Sequence, residues 1–204
     1  HPDADHLGGL PSLLRAVSVG RVLHSGQEVG TDLYERSRAL LEQKAVPERE
    51  VQRGDIFSVG AVRLQVLGPP ARPSRHGIDS ENGRSVVLHV AYGKTEILLP
   101  GDIEARAERD LIRNYSGQLG SHVVKVPHHG SETSSTSSFV QAVTDTSRET
   151  KAVVSVGRSN RFGMPDQNVL SRWERRGASV YSTADGGAVW LGSDGESVRM
   201  VDWQ

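Results

Sequence analysis

The sequence predicts one domain, residues 1–204, of mixed α/β class, and three observations support this. Short apolar strands alternate with amphipathic helices along the chain. An antiparallel hairpin is predicted where residues 85–92 and 95–99 flank a Gly-Lys turn. Buried-strand patterns at 122–126 and 152–156 are each followed by a loop and a helix, which is typical of neighbouring strands in one sheet.

The remaining elements follow from caps, turn residues and periodicity. Thr31 is the predicted N-cap of a helix over 31–44. Asp102 opens a predicted helix that ends near Tyr115, with apolar residues at every fourth position. Pro165 suits the first turn of a helix that ends at Gly177. Further short strands are predicted at 19–23, 56–59, 62–67, 180–183, 188–191 and 198–201, with a loop over 69–83 and a helix after the Ser/Thr-rich stretch 131–138.

Composition excludes several classes of protein. Hydrophobic residues make up 36% of the chain, and 24 basic residues nearly balance 25 acidic ones. A basic field over the whole surface is therefore absent, and contact with nucleic acid would need a local patch. The absence of cysteine leaves histidine and carboxylates as metal ligands. No apolar run approaches the ~20 residues of a membrane span.

Because the chain begins at His1, directly on a motif that a strand should precede, we expect it to be a fragment of a longer protein.

Four side chains that bind metals lie within the first six residues. His1, Asp3, Asp5 and His6 precede a glycine pair, Gly8-Gly9. On one helix or strand they would point in several directions, whereas on a tight loop they converge. Carboxylate oxygens together with imidazole nitrogens suit Zn²⁺ or Mn²⁺. The alternative interpretation is a solvated acidic turn at a frayed terminus.

Two further groups stand where predicted strands end. Asp102 follows the apolar run 98–100, and alone it is more simply interpreted as a helix N-cap. His128 and His129 end another strand before Gly130, and paired imidazoles at such a position rarely serve packing. Three groups at strand ends are what a site at one edge of a sheet requires, so together they predict a metal site.

These motifs resemble those of a known family. His-x-Asp-x-Asp-His-x-Gly-Gly at 1–9, Leu-x-Gly-Asp-Ile at 99–103 and Val-Pro-His-His-Gly-Ser at 126–131 resemble the metallo-β-lactamase superfamily. More narrowly, they resemble the C-terminal domain of ComEC-type competence proteins, which are membrane channels for DNA uptake. The resemblance also covers Ser25-Gly26, residues 82–88, residues 155–158, residues 160–163 and Pro165. It implies an αββα sandwich whose first strands would lie upstream of residue 1.

The resemblance also implies a two-metal centre of Zn²⁺ or Mn²⁺. Its ligands would be His1 and Asp3 at one metal, Asp5 and His6 at the other, Asp102 as a bridge, and one of His128 and His129, with His129 favoured. Asp5 and Asp102 would be the catalytic carboxylates. The family usually has Tyr-Gly-His-Pro where this chain has Phe-Gly-Met-Pro at 162–165. Because a thioether is a poor ligand for these ions, Met164 implies that one site is open, weaker or completed by water.

The implied function is a metal-dependent phosphodiesterase or nuclease that acts on DNA, single-stranded by expectation, during natural transformation. A metal-bound hydroxide would be the nucleophile. The parent channel would be the partner in cis, in the cytoplasmic membrane, with this domain on the extracytoplasmic side.

Candidate phosphate contacts are Ser131, Thr133, Arg158, Asn160 and Arg161. Turn or capping chemistry explains Ser131 and Thr133 equally well. His24, His76, His89 and His122 match no motif and are interpreted as surface or structural residues.

Two other functions remain open at this point. A metal-depleted accessory domain that binds DNA or the channel is consistent with Met164. A small-molecule phosphoesterase, or a lactam or thioester hydrolase, on the same fold is consistent with the near-neutral charge.

Overall fold

The computed structural model describes residues 1–71, 80–144 and 149–202. Within them the helices are α1 Ala4–Leu7, α2 Leu10–Ala16, α3 Asp32–Gln43, α4 Ala105–Tyr115, α5 Ser137–Val143, α6 Gln167–Glu174 and α7 Thr183–Gly186. The strands are β1 Val22–His24, β2 Glu48–Glu50, β3 Ile56–Val59, β4 Val62–Gly68, β5 Val87–Tyr92, β6 Thr95–Leu99, β7 Val123–Lys125, β8 Lys151–Val154, β9 Ser179–Ser182, β10 Leu191–Ser193 and β11 Val198–Met200.

Seven strands form one large sheet in chain order from β3 to β9. The pairs from β3 to β6 are antiparallel, and those from β6 to β9 are parallel. Two smaller sheets pair β1 with β2 in parallel and β10 with β11 in antiparallel orientation. The mixed α/β class predicted from the sequence is confirmed, as is the hairpin of β5 and β6, in which Tyr92 pairs with Thr95.

The main hydrophobic core lies between the large sheet and helices α4, α5 and α6. Each helix contributes fully buried apolar side chains, among them Leu111, Phe139 and Trp173. The rings of Phe139 and Trp173 meet edge to face with centroids 6.4 Å apart, a favoured aromatic geometry. This packing fixes the helices against the parallel half of the sheet.

Several predicted element bounds are wrong for identifiable reasons. Helix α4 begins at Ala105 after Glu104, so Asp102 is not its N-cap. Helix α6 begins at Gln167 because the Asp166 carboxylate accepts from the N–H groups of residues 168 and 169, and Pro165 precedes this cap. The strands predicted at 19–23 and 188–191 are displaced toward the C-terminus, to β1 and β10. Strand β2, which reads Glu-Arg-Glu, was not predicted because only its backbone pairing with β1 marks it as a strand.

The parallel strands deliver their carboxyl ends to one edge of the sheet. The loop after β6 carries Asp102, the turn after β7 carries His128 and His129, and the loop after β8 begins at Ser155. Parts of the predicted 69–83 loop, including His76, fall outside the described residues. In the parts of the chain that are described, no helix is both long and apolar enough to cross a membrane.

Candidate metal centre

Asp102 lies at the middle of the candidate site and is 3% exposed. Its Oδ2 lies 3.1 Å from Nε2 of His6 and 3.1 Å from Nε2 of His129. Gly101, with φ +62°, makes the turn that leads into it. A Cβ at Gly101 would lie 2.7 Å from Cβ of Ser85, so glycine is needed here for the two segments to approach.

The opening motif presents its side chains from a single helical turn. The Asp3 carbonyl accepts from the N–H groups of His6 and Leu7, which begins α1. Asp5 and His6 therefore project from the first turn of this helix toward Asp102. The sequence predicted a tight loop for this motif, whereas in the structure residues 1–3 are followed directly by the short helix α1.

His129 reaches the site from a strained turn. His128 and His129 both have left-handed backbone conformations, with φ +48° and +53°, which are costly for residues with a Cβ and cluster at functional sites. Nδ1 of His129 lies 2.6 Å from the Ser155 carbonyl oxygen. A carbonyl can only accept, so Nδ1 carries a proton and Nε2 is the ring nitrogen that faces the carboxylates.

The atoms of four side chains lie within 4.8 Å of one another, namely Asp5, His6, Asp102 and His129; we call this the four-donor cluster. Nε2 of His129 is 3.1 Å from Oδ2 of Asp5 and 3.3 Å from Nε2 of His6. An imidazole lone pair facing two carboxylates is repulsive unless a proton or a cation lies between them. The donor set of two nitrogens and two oxygens suits Zn²⁺ or Mn²⁺, and the four side chains therefore fit a divalent metal.

His1 and Asp3 lie next to the four-donor cluster, with the His1 ring centroid 4.1 Å from that of His6; we call them the His1–Asp3 pair. Nε2 of His1 is 3.5 Å from Oδ2 of Asp3 and 3.9 Å from Oδ2 of Asp102. The His1 side chain is 0% exposed, and its Nε2 has no hydrogen-bond partner. An orphaned buried nitrogen costs free energy, and a metal ion between His1, Asp3 and Asp102 would remove that cost.

Ser85 holds both His1 and Asp102, and it was not singled out as a site residue from the sequence. Its Oγ accepts from the Asp102 N–H at 3.1 Å and lies 3.0 Å from Nδ1 of His1. If Nδ1 donates to Ser85, then Nε2 of His1 is free to bind a metal, the arrangement usual around ligating histidines. The signal in the sequence is a polar residue just before an apolar strand, which is too common to identify it.

Lys125 neutralises the second oxygen of Asp102. Its Nζ lies 3.2 Å from Oδ1 of Asp102 and donates to the Gly101 carbonyl at 3.2 Å. Oδ2 is thereby left to face the histidines. A lysine inside the apolar run Val-Val-Lys-Val at 123–126 is the sequence signal that could have identified it.

The titration of these groups reflects the same geometry. Burial would raise the pKa of Asp102, but hydrogen bonds from His129 and His6 and the charge of Lys125 outweigh it and hold the pKa far below its ordinary value. The hydrogen bond with Asp102 raises the pKa of His129 despite burial. Asp102 therefore stays ionised.

His128 does not join the cluster. Its Nδ1 lies 3.5 Å from Oε1 of Glu104 and 3.4 Å from Oγ1 of Thr133. Thr133 donates to Glu104 at 2.9 Å, and Oγ of Ser131 lies 3.0 Å from Oγ1 of Thr133. The two hydroxyls predicted as phosphate contacts thus belong to a network around His128.

The other three predicted phosphate contacts lie on the loop after β8. Asn160 donates from Nδ2 to the Gly157 and Met164 carbonyls and accepts at Oδ1 from the N–H groups of 162 and 164, so it braces the loop. Nε of Arg158 donates to the Ala184 carbonyl. The guanidinium of Arg161 lies 4.9 Å from the centroid of the exposed Phe162 ring. Both arginines are exposed, and neither forms an ion pair with a residue in the described ranges.

The loop is fastened to the histidine turn. Gly130, with φ +82°, accepts from the Asp166 N–H, and a Cβ at Gly130 would lie 2.6 Å from Cβ of Pro165. Met164 comes directly before Pro165 in the chain and so lies next to this contact. The unmatched histidines at 24, 89 and 122 lie outside the four-donor cluster, and Nδ1 of His24 and of His122 each accept a backbone N–H.

The fold and the donor set define a metal-dependent hydrolase class, and comparison with known proteins agrees. The family model of the Metallo-beta-lactamase superfamily matches residues 1–148. The chain therefore belongs to the metallo-β-lactamase superfamily, as the motifs predicted.

Among curated proteins, the chain is similar to competence proteins. It is 30% identical over 189 residues to ComE operon protein 3 of Bacillus subtilis (strain 168), covering 93% of this chain and 23% of that protein. It is 31% identical over 193 residues to Competence protein ComA of Neisseria gonorrhoeae, covering 94% and 24%. The chain thus spans less than a quarter of these relatives. The predicted resemblance to ComEC-type proteins is confirmed.

A solved structure supports the fold. Zn(2+)-bound PqqB from Methylobacterium extorquens matches with a TM-score of 0.51 and 15% identity, over 89% of this chain and 69% of that one. The likeness concerns the fold alone, and with the family model it supports the metallo-β-lactamase fold predicted from the sequence.

Proposed function

We propose that this chain is a metal-dependent phosphodiesterase domain that cleaves DNA during its uptake. One observation carries the proposal: a four-donor cluster at the carboxyl ends of parallel strands, centred on buried Asp102, with the orphaned Nε2 of His1 beside it. Two divalent ions, Zn²⁺ or Mn²⁺, would be held by the four-donor cluster and by the His1–Asp3 pair, with Asp102 shared. When bound, such ions polarise a phosphoryl oxygen and lower the pKa of water from 15.7 toward about 7.

The protein's own residues prepare this chemistry. Ser155 orients the His129 ring through Nδ1, and Ser85 does the same for His1. Lys125 contacts Oδ1 of Asp102, so that Oδ2 is the oxygen that faces the histidines. Side chains held in this way need little reorganisation when a phosphoryl group binds, which is the largest general source of catalytic rate enhancement.

DNA is the proposed substrate because of local features and of the relatives. The relatives carry competence names, and a further one, 30% identical over 190 residues, is Recombination protein 2 of Haemophilus influenzae. Arg158 and Arg161 are exposed on the loop fastened to the histidine turn, where they would hold phosphates. Because the net charge of the chain is −1, electrostatic attraction to the DNA backbone would have to come from a local patch such as these two arginines.

Because the relatives are more than four times as long as the matched region, the parent is proposed to be a DNA-uptake channel of the cytoplasmic membrane. This domain would lie on its extracytoplasmic side. Single-stranded DNA, the strand that is not imported, is the proposed substrate form.

A nuclease assay tests the proposal. The protein is freed of metal with a chelator, reloaded with Mn²⁺ or Zn²⁺, and given labelled single-stranded DNA. We expect cleavage that depends on metal and that disappears in Asp102→Asn. Asp185→Asn, an exposed aspartate outside the site, is the matched control and should cleave normally. Absence of bound metal and of cleavage at millimolar metal would refute the proposal.

Met164 favours a second candidate, a non-catalytic accessory domain that binds DNA or the channel. DNA binding by filter retention without cleavage of DNA or of bis(p-nitrophenyl) phosphate would support it. Cleavage of the small phosphodiester but not of DNA would instead indicate a small-molecule phosphoesterase. Turnover of a β-lactam or thioester alone would indicate another hydrolase on the same fold.

A further inference from the structure

Phe162 is 67% exposed, more than any other aromatic residue in the part of the chain that the structure describes. The next two, Trp190 and Tyr92, are 43% and 36% exposed. Single exposed apolar residues are common on protein surfaces, so exposure alone assigns no role to this ring. What distinguishes Phe162 is its place beside the candidate metal centre and the kind of residues around it.

The loop after β8, in which Phe162 lies, begins and ends on the turn that carries His129. At its start, the Ser155 carbonyl oxygen lies 2.6 Å from Nδ1 of His129. At its end, the Asp166 N–H donates to the Gly130 carbonyl at 2.9 Å. Because Phe162 is four residues before Asp166, the Cα atoms of these two residues lie within about 14 Å of each other. The nucleotides next to a phosphodiester held at the metal centre are therefore within reach of the ring.

Asn160 holds this loop in one shape. Its Nδ2 donates to the Gly157 and Met164 carbonyls at 3.1 and 2.6 Å. Its Oδ1 accepts from the N–H groups of Phe162 and Met164 at 3.2 and 3.0 Å. Both amide protons and both lone pairs of the carboxamide are thus used. Phe162 is presented from a braced backbone, and a contact residue that is preorganised in this way loses less entropy on binding.

The neighbours of the ring are cationic. The guanidinium of Arg161 lies 4.9 Å from the centroid of the Phe162 ring, within the range of a cation–π contact. Arg158, exposed on the same loop, is held by the hydrogen bond from its Nε to the Ala184 carbonyl at 3.0 Å. In the described ranges neither arginine forms an ion pair with a carboxylate. Proteins that bind single-stranded nucleic acid use this combination, because bases stack on the ring while the cations attract the backbone.

We propose that Phe162 stacks on a base of single-stranded DNA and gives the site a preference for single strands over duplex. This inference rests on the proposed function, in which a DNA phosphodiester reaches the metals. In a duplex each base is already paired and stacked between its neighbours, so the ring can bind a base only where the duplex is opened at a cost in free energy. In a single strand every base presents an aromatic face, so the contact tolerates any sequence. Phe162 thus determines specificity without touching the reacting atoms.

Binding of oligonucleotides to the metal-free protein tests the inference in the absence of cleavage. Fluorescence anisotropy compares a single-stranded oligonucleotide, a duplex, and a single strand of the same length in which tetrahydrofuran replaces each base. The wild-type protein should bind the normal single strand about 5- to 100-fold more tightly than the abasic one, as expected for one stacked base, and more tightly than the duplex. Phe162→Ala should bind both single strands as the wild type binds the abasic one. A 2-aminopurine base in the single strand should change its fluorescence with the wild type and not with Phe162→Ala.

Two further substitutions separate stacking from apolar bulk. Phe162→Trp keeps an aromatic ring and should bind the single strand at least as tightly as the wild type. Phe162→Leu keeps apolar bulk without an aromatic face and should behave as Phe162→Ala. Tyr92→Ala is the matched control, because the parallel pairing of β6 with β7 puts the hairpin turn after Tyr92 at the edge of the sheet opposite the metal centre. It should bind all three oligonucleotides as the wild type does.

Equal affinity of the wild type for the normal and the abasic single strand would overturn the inference. Equal weakening of both in Phe162→Ala would also overturn it, because the ring would then only shape the loop. In either case, metal-dependent cleavage of DNA by the wild type would leave the proposed function standing. A protein that binds none of the three oligonucleotides, and cleaves none of them with Mn²⁺ or Zn²⁺, would overturn both.

Discussion

The two halves of the candidate centre share Asp102 but are built differently. In the four-donor cluster, Asp102 and His129 come from loops after neighbouring parallel strands, and the Ser155 carbonyl fixes the His129 ring. The His1–Asp3 pair comes from one short segment before α1 and is held laterally by Ser85. The sheet edge supplies Asp102 and His129 to the four-donor cluster, with Asp5 and His6 added from α1, whereas the His1–Asp3 pair has no donor of its own from the sheet edge besides the shared Asp102. The second site should therefore be the weaker and the more easily disturbed.

The largest expected effect is that of His129→Ala. Loss of one donor opens the four-donor cluster, and loss of the metal removes several kcal/mol of charge stabilisation in the transition state. We expect nuclease activity to fall by about 10³-fold or more, since each 1.36 kcal/mol is tenfold in rate. Metal content by mass spectrometry should fall by one equivalent. His128→Ala, its neighbour outside the cluster, should keep that equivalent, and equal metal loss in both variants would contradict the assignment.

Ser85→Ala should act on the other half. Without the hydroxyl, His1 loses the contact at Nδ1 that orients Nε2, and outer contacts of this kind are worth about 10–100-fold in metal affinity. Calorimetry with Mn²⁺ should show a weaker second equivalent and a nearly unchanged first one. Weakening of the first equivalent alone would show that Ser85 serves the four-donor cluster instead.

Lys125→Met should give a smaller effect, visible mainly without metal. Oδ1 of buried Asp102 loses its cationic partner, which costs about 1–3 kcal/mol in the free energy of unfolding. Urea denaturation should show this loss in the metal-free protein and a smaller loss at saturating Mn²⁺, because the bound cation also stabilises Asp102. An equal loss in both conditions would mean that Lys125 acts only through packing.

The smallest effect is expected from Met164→His. The four-donor cluster would hold the first metal without a donor from residue 164, so Mn²⁺ affinity of the first equivalent should change by less than about threefold. The sequence resemblance alone would predict a clear gain in affinity or activity. A gain above tenfold would show that residue 164 reaches the metal.

The sequence predicted the class of fold and most elements because apolar periodicity and caps are local signals. Thr31 caps α3 as predicted, with its hydroxyl accepting from the Tyr34 N–H. Strand β2 and the lateral contacts of Ser85 were missed because both depend on partners distant in sequence. Residue spacing alone does not distinguish the adjacent histidines at 128 and 129, and the family resemblance favoured His129. In the structure the left-handed turn directs His129 toward Ser155 and His128 toward Glu104.

Diffraction from crystals soaked in Mn²⁺, with anomalous data at the manganese edge, tests the central claim most directly. We expect an anomalous peak within bonding distance, about 2.0–2.3 Å, of Asp5, His6, Asp102 and His129. Collecting the same data at the zinc edge after a Zn²⁺ soak would test the same four donors for that ion. No peak among these four side chains at saturating metal, or a peak only elsewhere on the molecule, would contradict it.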